Sequence, residues 1–187
     1  MKRRAIILSL IIPGVSLAIG LLPALAQSSF DFMPDGGQSM LRRLFSQAPA
    51  KAFEIAGATH TEAEWTEYLR QQAGDLNDKQ RETLAGYLAV NMPLQESSLK
   101  AAEQKNDVIS AFPADGRQLA IDNCQFCHAF FSGYLMHDRD VEGWRSTFKS
   151  PFHKEIRMTD KEKETFARYS AVNMPLRIED VPEELRF

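Results

Sequence analysis

The sequence predicts an all-α protein of two tandem halves, each of three short helices, after a cleaved export signal. Three observations predict it: an internal repeat, apolar residues at helical spacing inside each repeat, and a near absence of strand signals. Of 187 residues, 44% are hydrophobic and 25% charged, which is the composition of a chain that buries a core. Lys and Arg total 22 against 25 Asp and Glu, a net charge of −3, so the chain lacks the basic excess of a nucleic-acid-binding protein.

The amino terminus carries Lys2, Arg3 and Arg4, then an uncharged apolar run over 5–22 that leads to Ala24-Leu25-Ala26. A basic segment, an apolar stretch and small residues at the −3 and −1 positions predict a signal peptide over 1–26, and Pro13-Gly14 interrupts any regular spanning helix. Cleavage removes three positive charges and no negative ones, which moves the net charge from −3 to −6. No later stretch approaches the roughly 20 apolar residues of a membrane span. The expected location is therefore the bacterial periplasm, without a membrane span after cleavage.

Residues 77–94 (NDKQRETLAGYLAVNMPL) and 159–176 (TDKEKETFARYSAVNMPL) agree at 12 of 18 positions. Upstream, Asp35-Gly36-Gly37-Gln38 answers Asp115-Gly116-Arg117-Gln118, and Trp65 answers Trp144 after a small length change. The expected organisation is a first domain over 27–94, a partly helical connector over 95–114, and a second domain over 115–187 ending in an acidic tail. Trp65, Tyr68 and Leu69 recur at helical spacing, as do Leu84, Tyr87 and Leu88. Thr61 with Glu64 and Thr159 with Glu162 fit the capping box, and Pro93 and Pro175 end the last helix of each repeat.

The chemistry is concentrated in Cys124-Gln125-Phe126-Cys127-His128, which contains both cysteines of the chain. Cys-x-x-Cys-His is the pattern of covalent c-type haem attachment: two intervening residues put both thiols on one side of a helical turn, and the next residue aims an imidazole at the iron. Structural zinc needs further Cys or His ligands, and a thioredoxin-like dithiol needs a βαβ context; neither is visible in the sequence. One haem c per chain follows, with Cys124 and Cys127 as attachment sites and His128 as proximal iron ligand.

On these residues the carboxyl-terminal half, 115–176, resembles the class I cytochrome c family. The Cys-x-x-Cys-His motif comes early and a helix around Phe166 and Tyr169 closes the unit. The resemblance implies an all-α fold whose first and last helices cross, one covalent haem, and one-electron transfer. The first half resembles the same unit without its haem: with Asp35 set on Asp115, Leu44, Gln47 and Ala48 stand where Cys124, Cys127 and His128 do.

The distal ligand is open among several residues. Met158 faces Leu76 in the other repeat and precedes the final helix, where the family places its ligand methionine, so it comes first. Met174 recurs as Met92 in the haemless half, which favours a packing role. His153, in Ser150-Pro151-Phe152-His153, is peculiar to the second half and is the other alternative. Trp65 and Trp144 share a repeat position and read as core, while His60 and His137 read as solvated.

The expected function is an exported one-electron carrier, or the electron-transfer subunit of a periplasmic dehydrogenase, with a dehydrogenase as donor and a cytochrome or oxidase as acceptor. The alternative is a haem enzyme or gas sensor with an open sixth iron position. The persistence of the first half's repeat helix has two explanations, packing against the second half or docking a partner.

Overall fold

The computed structural model describes residues 30–186, so the expected signal peptide lies outside the described residues. Among the described residues the regular structure is entirely helical. The first half comprises α1 (Gly37–Phe45), α2 (Pro49–Gly57), α3 (Glu62–Gln72) and α4 (Asp78–Asn91); α5 (Glu96–Lys105) follows. The second half comprises α6 (Gly116–Cys124), one π turn (Phe131–Leu135), α7 (Val141–Thr147) and α8 (Asp160–Asn173). No helix among the described residues is long and apolar enough to cross a membrane.

The two anticipated capping boxes form: the Glu64 N–H donates to Thr61 Oγ1 and the Glu162 N–H to Thr159 Oγ1, while each Glu carboxylate accepts the N–H of its Thr. A third box, Asn77 with Gln80, starts α4. Each pairs orphan N–H groups at a helix start, a contribution of about 1 kcal/mol at the N-cap. Both repeat helices stop at an extended methionine, Met92 and Met174, because the following proline cannot continue the helix. Three helices were expected in the first half, and it has four. Pro49 occupies the first turn of α2, where its missing N–H costs nothing, and Ala52, Ile55 and Ala56 are buried.

The structure also corrects the register between the halves. Asp115 is the N-cap of α6, and its counterpart is Gly36, not Asp35. Gly37 and Gly116 are then equivalent, each lying so close to a tyrosine ring, Tyr87 or Tyr169, that an added Cβ would collide with it. From there the halves align without insertion through Trp65 and Trp144, each the fourth residue of its helix. Cys124, Cys127 and His128 therefore correspond to Phe45, Ala48 and Pro49, and the first half still offers no attachment residue. The length difference falls after the tryptophans, where 148–158 answers 69–76 and is three residues longer.

The halves pack through α4 and α8, the most extensive helix pair among the described residues. The contact is reciprocal: Asn91 Nδ2 donates to Thr165 Oγ1 and Asn173 Nδ2 donates to Thr83 Oγ1, both at 2.9 Å. All four residues are buried, so the bonds satisfy groups that water cannot reach. The lead-in segments cross over as well. The Tyr87 hydroxyl donates to the Pro113 carbonyl and the Tyr169 hydroxyl to the Pro34 carbonyl, each at 2.7 Å. Met33 belongs to the second half's apolar cluster and Phe112 to the first half's. Thr83, Tyr87, Asn91 and their counterparts are among the positions identical between the repeats, and they form the interface. Packing thus accounts for residues that both halves share.

Candidate functional site

The site is assembled on α6 and closed by three further segments of the second half. Asp115 caps α6 by accepting the Gln118 N–H at 3.0 Å, and Gly116 lets the helix cross α8 against Tyr169. α6 ends at Cys124, and the chain turns through Gln125 to His128. Gln125 Nε2 donates back to the Ile121 carbonyl at 2.8 Å, satisfying a carbonyl in the last turn.

His128 rests on Gly133 of the π turn. A Cβ at 133 would stand 1.8 Å from His128 Nδ1, so a larger residue would force the exposed ring out of this position. Nδ1 lies 3.4 Å from the Ala129 carbonyl. The π turn is held from behind by Tyr134: its hydroxyl meets Ser170 Oγ at 2.8 Å, and since Ser170 donates to the Phe166 carbonyl, the tyrosine is the donor. Burial pushes the Tyr134 phenol well above its ordinary range, so it remains a neutral donor.

A cavity of about 450 Å³ opens beside these residues. Cys124, Cys127 and His128 line it together; Tyr134, Trp144, Phe148 and Phe166 form aromatic walls, and Arg139, His137 and His153 contribute polar groups. The volume falls in the roughly 300–1,000 Å³ range of cofactor pockets. The aromatic walls are mutually packed: Trp144 meets Phe166 edge-on at 5.7 Å and Tyr134 at 5.3 Å between ring centres. Arg139 lies 5.3 Å over the Trp144 ring and donates to Thr147 Oγ1 at 3.1 Å.

The two thiols are free and differ in setting, Cys127 exposed and Cys124 partly covered. Burial, with a smaller contribution from Cys127, pushes the Cys124 thiol up to about 12. That is the reverse of the depressed pKa of a reactive dithiol. Among the described residues no cluster of three or more His, Cys, Asp or Glu side chains is arranged to hold a bare metal ion.

The structure brings together three of the site residues expected from sequence and separates others. Cys124, Cys127 and His128 share the cavity, as does the alternative ligand His153. Met158 and Met174 are buried in the surrounding apolar cluster, 7% and 5% exposed, and neither lines the cavity. Met158 occupies the core position that Leu76 fills in the first half. His137, expected in solvent, is instead half-buried on the cavity wall, edge-on to Trp144 at 6.4 Å, and burial lowers its pKa. Trp65 and Trp144 are core residues, as expected, 1% and 2% exposed. In the first half α2 takes the place of the cavity wall: Ile55 and Ala56 correspond to Tyr134 and Leu135, and Leu94 donates to Ala56 as Leu176 donates to Leu135, both at 2.8 Å.

Comparison with known proteins finds no matching family model, no matching curated protein and no matching solved structure.

Proposed function

We propose that this chain is an exported mono-haem c-type cytochrome, acting as a one-electron carrier or as the electron-transfer subunit of a periplasmic dehydrogenase. The observation that carries the reading is the convergence of Cys124, Cys127 and His128 on one aromatic-walled cavity of cofactor size. The corresponding positions of the first half, Phe45, Ala48 and Pro49, include no cysteine and no histidine.

The residues present fit the group. Cys124 and Cys127 would hold it, each thiol adding across one vinyl group to make a thioether, and His128 would ligate the iron. Bound haem supplies reversible one-electron iron chemistry, whose potential is set by the axial ligands and by burial. The chain's own part is to hold and insulate. Gly133 seats the His128 ring, Tyr134, Trp144, Phe148 and Phe166 exclude water, and Arg139 places a positive charge at the cavity wall for carboxylates.

The test is haem staining after denaturing electrophoresis of protein exported in a host that matures c-type cytochromes. The unaltered chain should stain and the Cys124→Ala/Cys127→Ala form should not. An unaltered chain without stain overturns the reading.

A further inference from the structure

Resting on the haem reading above, we infer that the sixth iron ligand is Nε2 of His153, so that the iron is held between two histidines. The chain prepares this nitrogen. α7 ends at Thr147, and Pro151, four residues on, has no N–H to donate to the Thr147 carbonyl. That carbonyl accepts the Ser150 N–H instead, at 3.2 Å, and His153 Nδ1 approaches it at 3.2 Å as well. A carbonyl oxygen can only accept, so Nδ1 carries the proton and Nε2 of the neutral ring keeps its lone pair. A backbone carbonyl that fixes the tautomer in this way is the usual companion of a metal-ligating histidine.

His153 lines the same cavity as His128 and lies in 148–158, the stretch that is three residues longer than its counterpart 69–76 in the first half. No histidine of 69–76 matches it, so no packing duty of a histidine is common to both repeats. Each competing methionine has one: Met158 sits where Leu76 packs, Met174 where Met92 packs, and neither lines the cavity. His137 also lines it. However, His137 follows the π turn whose Gly133 seats His128, and it lies within electrostatic reach of that ring. It thus sits beside His128 on the same stretch of chain, whereas His153 comes from a separate segment, the one between α7 and α8.

Two consequences follow. The potential should lie below that of a histidine/methionine site, since methionine ligation raises it, and the sixth position is closed to gases and peroxide.

The test uses full-length protein whose covalent haem has first been verified by staining, so failure of the haem reading is recognised before any ligand is assigned. Oxidised protein should be low-spin by electron paramagnetic resonance and lack the sulfur-to-iron charge-transfer band of methionine ligation. Met158→Leu should leave the spectrum unchanged, while His153→Ala should become high-spin and return to low-spin when imidazole is added. A sulfur band in the unaltered protein overturns the assignment, as does a high-spin unaltered protein or a His153→Ala form that keeps the unaltered low-spin spectrum. If His153→Ala does not fold, the unaltered and Met158→Leu spectra still decide.

Discussion

The carboxylate of Asp115 occupies the space into which a side chain on Gly36 would project, with its carbon 2.1 Å from where a Cβ at 36 would lie. From there Asp115 caps two helices. One oxygen accepts the Gln118 N–H of its own α6, and the other accepts the Gln38 and Ser39 N–H groups of α1 at 3.0 and 3.2 Å. Gly36, the N-cap of α1, has no side chain to do so, and a residue of the second half serves instead.

Asp115→Ala should therefore destabilise both halves together, because it removes the caps of α1 and α6 at once. Single N-cap losses cost about 0.5–2 kcal/mol, and the expected loss lies at or above the upper end of that range. Gly36→Ala should also destabilise, by displacing the carboxylate. Chemical denaturation followed by circular dichroism reads both, and an Asp115→Ala form as stable as the unaltered protein would contradict the double cap.

Asn173→Ala leaves Thr83 without its partner in the buried α4–α8 contact and should cost about 1–3 kcal/mol, the penalty of a buried polar group stripped of its bond. Asn91→Ala should cost less, because the Thr165 hydroxyl keeps its donation to the Lys161 carbonyl at 2.9 Å. A fragment starting near Ala114 exposes the whole of that face of α8 and should fail to fold on its own. A fragment with native helicity and cooperative melting would show that the first half is dispensable for folding and reopen a docking role for it.

Gly133→Ala places a methyl group where the His128 ring lies. The expected outcome is displacement of that imidazole, with reduced covalent haem incorporation and a shift of the remaining haem toward high spin. Absorbance of the purified holoprotein at equal protein concentration measures both.

Glu164 joins α8 to α7 through a two-pronged pair with Arg145, at 2.6 and 2.7 Å, and it also accepts from Arg168, which reaches Glu62 in the first half. Hydrogen bonding from Arg145 foremost, then from Arg168, holds the Glu164 carboxyl below its ordinary value of 4.5. A carboxyl depressed in the folded state stabilises fully above its unfolded value and loses that contribution as the pH falls through the folded one. Stability should drop as acid is added below about pH 4.5, and Glu164→Gln should flatten that part of the profile. Thermal melts across pH 3–7, at roughly that span, show whether it does.

Much of the fold is legible in local sequence. The Thr61 and Thr159 caps and the proline stops depend on neighbours within a few residues, and all stand in the structure. The register around Asp35 is not legible, since an Asp-Gly pair occurs in both halves while the capping role passes across the interface to Asp115. Helix α2 is hidden because it begins at Pro49 and carries a short apolar pattern. The cysteines and His128 are readable from their spacing alone. The cavity walls are not, because Tyr134, Trp144 and Phe166 converge from three separate elements. His137 misleads for the same reason: Asp138, Arg139 and Asp140 beside it suggest solvent, and only the packing of α7 brings Trp144 against it. His153 becomes informative once Pro151 is seen to free the Thr147 carbonyl.

The proposed chemistry rests on one covalent haem, carried by the second half. Mass spectrometry of the proteolytic peptide spanning Cys124 to His128, combined with haem quantification per chain, tests for it. One haem per chain is expected, retained on that peptide through both cysteines after denaturation. Free thiols at Cys124 and Cys127 in the exported protein, or haem at a stoichiometry of two, would contradict it.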